Sequence, residues 1–123
     1  MIRVLIVEDQ KMAQENMEAV IKSSDKYSLE GIIANAADAE LFCMRTPVDL
    51  ILMDVMMPVM NGYEATAELR KLSADVPIIA ISAYSYEPNE HEHGFSAYMD
   101  KPVSPNKLQE EIAKMLNKHF IIL

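Results

Sequence analysis

Cysteine, glycine, basic residues and long apolar runs are all scarce in this chain, and each shortage closes off a class of function. A lone Cys43 cannot form an internal disulfide, so a reducing, cytoplasmic setting is the natural expectation. The three glycines are scattered and leave no glycine-rich loop of the kind that cradles phosphates at a helix start. No apolar run approaches the ~20 residues needed to cross a bilayer, so neither a transmembrane segment nor a membrane partner is expected. Met1-Ile2-Arg3-Val4 leads directly into a strand-like run and lacks the parts of a signal peptide. Eleven Lys and Arg stand against 19 Asp and Glu, a formal net charge of −8. Phosphate backbones are held by clustered cations, so direct binding of nucleic acid is not expected. The acidic balance suits a chain that gathers a divalent cation, and equally one that is merely well solvated.

What is present is enough apolar material for one core: half of 123 residues, expected to form a single domain over 1–123. Ten Met residues are many for this length; several fall at helical core spacing and read first as packing material, and Cys43 reads as a small core or near-surface hydrophobe. Arg3 to Val7 is strand-like, and Ala13, Met17, Val20 and Ile21 then mark one face of a helix over about 10–23. A second strand is expected near 28–34. It is followed by a helix near 36–45 that presents Ala37, Leu41 and Met44 inward and is stopped by Pro47. Asp49 to Met53 is a third strand, with a helix over about 62–72 facing Ala65, Leu69 and Leu72 inward. Val76 to Ile81 is a fourth, and Pro77 sits near its start, where a missing N–H is tolerated. A short strand at 97–99 precedes a helix over about 104–118, with Ser104 as N-cap, Pro105 in its first turn, and Leu108, Ile112, Met115 and Leu116 on its core face. Strands alternating with helices define an α/β chain: a parallel sheet with helices on both faces.

In that architecture the ends of the first, third, fourth and fifth strands share one rim, where ligands of open α/β sheets bind. They carry Glu8 and Asp9, Asp54, Ser82 and Lys101. Crowded carboxylates stay ionised only with a cation among them, and an all-oxygen set suits Mg²⁺. A carboxylate can attack phosphorus to give an acyl phosphate, whose oxygens then want a cation and donors. Each residue also has a plainer reading. Asp54 could cap the next loop, Glu8 and Asp9 could complement a helix dipole, Ser82 could be a strand-end hydroxyl and Lys101 a solvated cation. Their joint placement at four strand ends favours the chemical one.

With VLIVEDQ, LMDVMMPVMNGYEAT, PIIAISA and AYMDKP at those four strands, the sequence resembles the receiver domain of two-component response regulators over essentially residues 1–123. The resemblance implies a flavodoxin-like, doubly wound, five-stranded parallel sheet in the order 2-1-3-4-5. Asp54 would take a phosphoryl group from a histidine kinase or histidine phosphotransfer protein. Glu8, Asp9, Asp54 and the backbone carbonyl of Met56 would hold Mg²⁺. Lys101 would pair with the phosphoryl group, Ser82 would follow it, and Tyr98 would change rotamer with the hydroxyl. Pro102 matches a proline commonly preceded by a cis peptide. Met56 and Tyr84 match positions that flank the phosphoryl group and tune attack by water, and their bulk predicts slow self-dephosphorylation.

The wording MPVMNGYEAT followed by AISAY is most similar to receivers of hybrid kinases and phosphorelays. If complete, the chain resembles a stand-alone receiver that passes its phosphoryl group on or acts through contact with a downstream protein partner; if part of a longer protein, its effector domain is missing. The apolar end Phe120-Ile121-Ile122-Leu123 would pack on the last helix or a partner, or be exposed. Between Ser82 and Lys101 the chain is shorter than is usual in the family, and Pro88 with Glu90-His91-Glu92-His93 argues for a loop or one short turn at 84–94, so the fourth helix is expected to be shortened or missing. His91 and His93 invite a metal reading, but a solvated loop explains them better. The remaining alternatives are a small Mg²⁺-dependent phosphohydrolase with Asp54 as nucleophile, for which no second catalytic Asp or cap segment is found, and a flavodoxin-like ligand module, for which no phosphate loop is found.

Overall fold

Val4 to Val7 and Leu50 to Asp54 are closed to solvent on both sides, as only central strands covered on both faces can be. The computed structural model describes residues 1–35, 37–54, 62–72, 76–82 and 95–119. In chain order the elements are β1 (Ile2–Val7), α1 (Lys11–Lys22), β2 (Tyr27–Ile33), α2 (Asp38–Arg45), β3 (Leu50–Asp54), α3 (Gly62–Leu72), β4 (Ile78–Ser82), β5 (Ala97–Asp100) and α4 (Pro105–His119). The five strands form one parallel sheet in the order β2-β1-β3-β4-β5, the flavodoxin-like doubly wound arrangement that the sequence implies. Expected and observed element boundaries agree to within about two residues. The expectation of a loop or short turn at 84–94 lies outside the described residues, as do His91 and His93.

Alternation along the strands divides the interior into two layers. Val4, Ile6, Leu50, Leu52, Ile79, Ile81, Ala97 and Met99 point to one side, where Met17, Val20 and Ile21 of α1 and Leu108 and Ile112 of α4 cover them. Leu5, Val7, Ile51, Met53, Ile78 and Ala80 point to the other, against Ala39 of α2 and Leu69 of α3. Each fully buried Leu or Ile contributes about 1.5–3 kcal/mol from removal of its surface from water, so these layers dominate stability. At the opposite rim from the acidic residues, Arg3 and Asp49 clasp β1 to the start of β3: the guanidinium donates twice to the carboxylate (2.9 and 3.0 Å), and the Arg3 N–H donates to it at 2.9 Å. The Ser104 hydroxyl accepts the Lys107 N–H at 3.3 Å, so the expected N-cap of α4 is in place.

Helix α2 corrects one expectation. Ala37 precedes the helix and is exposed, and Leu41 and Met44 are 48% and 65% exposed. The inward stripe is Ala39, fully buried, with Phe42 and Cys43 packed beside it. Leu41 and Met44 follow Ala37 at steps of four and three, and Phe42 and Cys43 lie three and four residues beyond Ala39, so both sets fit one face of a helix and period alone cannot choose between them. Space does. Gly31 on β2 leaves room for the Phe42 ring, whose atoms lie 2.7 Å from where a Cβ would stand. That pocket draws Phe42 inward and turns Leu41 out. Cys43 is half-buried and burial raises its thiol pKa, as suits a packing residue rather than a nucleophile.

Candidate functional site

Register assembles the acidic site. Val7 pairs with Met53, so the next step along the two strands sets Glu8 beside Asp54. Ser82 pairs with Asp100, so Lys101 lies one residue beyond Ser82, and the Lys101 N–H donates to the Ser82 carbonyl at 2.7 Å. Side-chain parity then sorts them. Glu8, Asp54 and Lys101 continue the alternation that faces α1 and α4, whereas Ser82 and Tyr98 continue the one that faces α2 and α3.

The geometry follows this parity. The Lys101 ammonium lies 2.7 Å from Glu8 Oε1 and 3.3 Å from Asp54 Oδ1. Glu8 is wholly buried and Asp54 and Ser82 nearly so, and Lys101 keeps about one-fifth of its side-chain surface exposed (20%). Glu8 Oε2 accepts the Gln10 N–H at 3.1 Å, so one oxygen does serve the start of α1, while the other faces the ammonium. Burial pushes the Glu8 carboxyl up to about 7, against the pull of Lys101 and the Gln10 N–H and with a further push from Asp54. Burial pulls the Lys101 ammonium down, but Glu8 and Asp54 together outweigh it, and its pKa lies above the ordinary value.

Asp9 completes the set. One oxygen each from Glu8, Asp9 and Asp54 lie within 4.8 Å of one another. Asp9 Oδ1 is buried with no hydrogen-bond partner among the described residues. A buried anionic oxygen without a partner is costly, and three carboxylates leave a negative charge that one lysine does not balance. The donor set therefore fits Mg²⁺, a hard cation that takes oxygen ligands and whose charge offsets the excess.

Tyr98 is half-buried and stands edge-on to Phe95, with ring centroids 5.3 Å apart and planes at 71°. The Lys101–Pro102 peptide bond is cis, as the resemblance implies. Met56 and Tyr84 lie outside the described residues. Two residues of α1 join the site that sequence reasoning does not single out. Gln14 Nε2 donates to the Glu8 carbonyl at 2.6 Å, and the Asn16 amide meets both peptide groups of Val103, donating to its carbonyl at 3.3 Å and accepting its N–H at 2.8 Å. The available signal is weak: Asn is a poor helix former, and here it stands mid-helix beside core residue Met17.

Fold and site together define a doubly wound α/β domain with an acidic, lysine-bearing cleft at the carboxyl ends of its strands. The sequence model of the response regulator receiver domain matches residues 4–113, and the chain belongs to that family. The rice two-component response regulator ORR41 is 33% identical over 122 residues, covering 93% of this chain and 94% of that protein. UvrY, a response regulator of Escherichia coli, is 28% identical over 115 residues, which is 91% of this chain but 53% of UvrY. The chain thus spans about half the length of that relative. The sensor kinase/phosphatase LuxN of Vibrio harveyi is 33% identical over 121 residues, 94% of this chain and 14% of LuxN. Among solved structures, the receiver domain of the Pseudomonas aeruginosa sensor histidine kinase PA1611, with a magnesium ion coordinated in its active site cleft, matches with a TM-score of 0.81 and 31% identity over 94% of this chain and 97% of that one. The family match supports the receiver reading over the phosphohydrolase. Among the described residues, no helix is long and apolar enough to cross a membrane.

Proposed function

We propose that Asp54 accepts a phosphoryl group from a phosphohistidine of a sensor kinase or phosphotransfer protein, and that the domain relays or switches a signal on that event. The reading rests above all on the Glu8–Lys101–Asp54 arrangement, with an ammonium within 3.3 Å of the acceptor carboxylate. A carboxylate oxygen of Asp54 attacks phosphorus as the N–P bond breaks. The electron pair leaves with the imidazole, which takes up a proton, and the product is an aspartyl phosphate. Lys101 pairs with the transferred oxygens, and its companion Glu8 keeps the ammonium aimed at the site when Asp54 is modified. Glu8, Asp9, Asp54 and the Met56 carbonyl are the residues that would hold Mg²⁺, which supplies charge stabilisation to the phosphoryl oxygens when bound. The magnesium ion in the PA1611 receiver domain supports this assignment.

Ser82 and Tyr98 lie on the α2/α3 side and carry the response: the hydroxyl follows the phosphoryl group and the ring moves with it. Met56 and Tyr84 slow hydrolysis by water. The chain acts as one domain over 1–123 in the cytoplasm, and its only covalent chemistry is its own modification and demodification. Incubation with acetyl phosphate and Mg²⁺, followed by intact mass, should show an adduct of about 80 Da that is absent in Asp54→Asn. Multiple turnover of phosphate monoesters without an adduct is the result that sinks the reading.

A further inference from the structure

We propose that Asn16 is a positioning residue for Lys101, holding the ammonium against Glu8 and Asp54 from the far side of the β5–α4 connection. The inference rests on the reading of Asp54 as phosphoacceptor and adds to it a residue outside the acidic set.

The Lys101–Glu8 ion pair, at 2.7 Å, joins two strand ends about 90 residues apart in sequence. Helix α1 grips both. Gln14 donates to the Glu8 carbonyl at 2.6 Å, which ties down the acidic end. Asn16 donates to the Val103 carbonyl and accepts the Val103 N–H, which ties down the basic end two residues past Lys101. On its other side Lys101 is anchored through its own N–H to the Ser82 carbonyl. The three residues 101–103 are therefore pinned at both ends, to β4 at the first and to α1 at the last. Val103 is itself buried against the α1/α4 layer, so its peptide groups have little water to turn to. The side-chain amide serves both groups at once, its nitrogen donating and its oxygen accepting, whereas an ionised Asp accepts but cannot donate, and an apolar residue does neither. Asn in mid-helix is a poor choice for α1 itself. It is explained by what it holds.

The test is a double-mutant cycle of Asn16→Ala and Lys101→Ala, with Asn16→Asp as the graded variant that keeps the Val103 N–H acceptor and loses the donor. Two quantities are read on each full-length protein, with thermal melts to confirm folding. The first is the Lys101 Nζ resonance in ¹⁵N-lysine-labelled, unmodified protein, identified by its loss in Lys101→Ala. It should move toward the position of the solvated lysines in Asn16→Ala, and part-way in Asn16→Asp. The second is the rate of adduct formation from acetyl phosphate with Mg²⁺. It should fall between about tenfold and a hundredfold in Asn16→Ala, as for a reacting group displaced by an ångström. On the Lys101→Ala background the same substitution should have no further effect. An unchanged Lys101 resonance, or an equal fold-loss of rate on both backgrounds, overturns the proposal. If Asn16→Ala fails to fold, Asn16→Asp carries the same comparison. If the parent protein forms no adduct, the Asp54 reading fails, and the resonance alone decides on Asn16.

Discussion

At Asp54 the carboxylate is nearly excluded from water and shares a lysine with a second, fully buried carboxylate. The lysine thus already stands against the carboxylate proposed to accept the phosphoryl group. Lys101→Ala should slow adduct formation on the order of a hundredfold, the usual cost of removing one donor aimed at developing charge, as measured with a small phosphodonor. Asp9→Ala removes the carboxylate whose inner oxygen has no partner among the described residues, and it should weaken Mg²⁺ binding by at least about tenfold in a titration followed by calorimetry. Glu8, Asp54, Ser82 and Lys101 are legible from sequence because each follows a recognisable apolar run, and a parallel sheet brings such ends to one rim. Gln14 and Asn16 are not, since their roles depend on backbone groups of Glu8 and Val103. Nothing local in the sequence announces an Asn that bonds a peptide 87 residues away.

Among the elements, β1, β3 and β4 are plain in the sequence because a short, continuous apolar run bounded by turn residues is what a strand buried on both faces requires. Helix α2 is legible in position but not in facing. It has only eight residues, too few to separate two sets that each fit one face of a helix. The deciding information sits on another element, in the absence of a side chain at Gly31. Gly31→Ala places a methyl group 2.7 Å from the Phe42 ring, and overpacking of this kind should cost about 1–3 kcal/mol in a urea titration. Phe42→Leu on that background should recover part of the loss, because the two changes share one space. Leu41→Ser, by contrast, should change stability by less than about 0.5 kcal/mol, since the side chain faces outward. A large loss there would mean that Leu41 faces the core after all.

For the molecule as a whole, two linked equilibria report on opposite rims of the sheet. The Arg3 guanidinium holds the Asp49 carboxyl below its ordinary value of 3.8 through hydrogen bonds and charge. A carboxyl depressed in the folded state contributes stability that is fully present above pH 3.8 and is lost as pH falls through its lower folded value. Asp49→Asn should therefore be less stable than the parent at neutral pH, and the difference should vanish in strong acid. Its size should be small, because both side chains are more than a third exposed (43% and 37%). At the other rim, Mg²⁺ should raise the melting temperature by mass action. A concentration a hundred times the dissociation constant corresponds to about 2.7 kcal/mol, reversed by a chelator and diminished in Asp9→Ala.

The parity of the strands also limits how the chain can be edited. Glu8, Asp54 and Lys101 meet because each lies an even number of residues from a side chain facing α1 and α4. Inserting one residue between Met99 and Lys101 would hand the ammonium to the α2/α3 side and leave Glu8 and Asp54 to repel each other. Inserting two would preserve the side and change only the reach. In the described strands, then, length is quantised in pairs, and a library of single-codon and double-codon insertions at 99–101 should divide into chains that form the adduct as slowly as Lys101→Ala and chains that keep more of the parent rate.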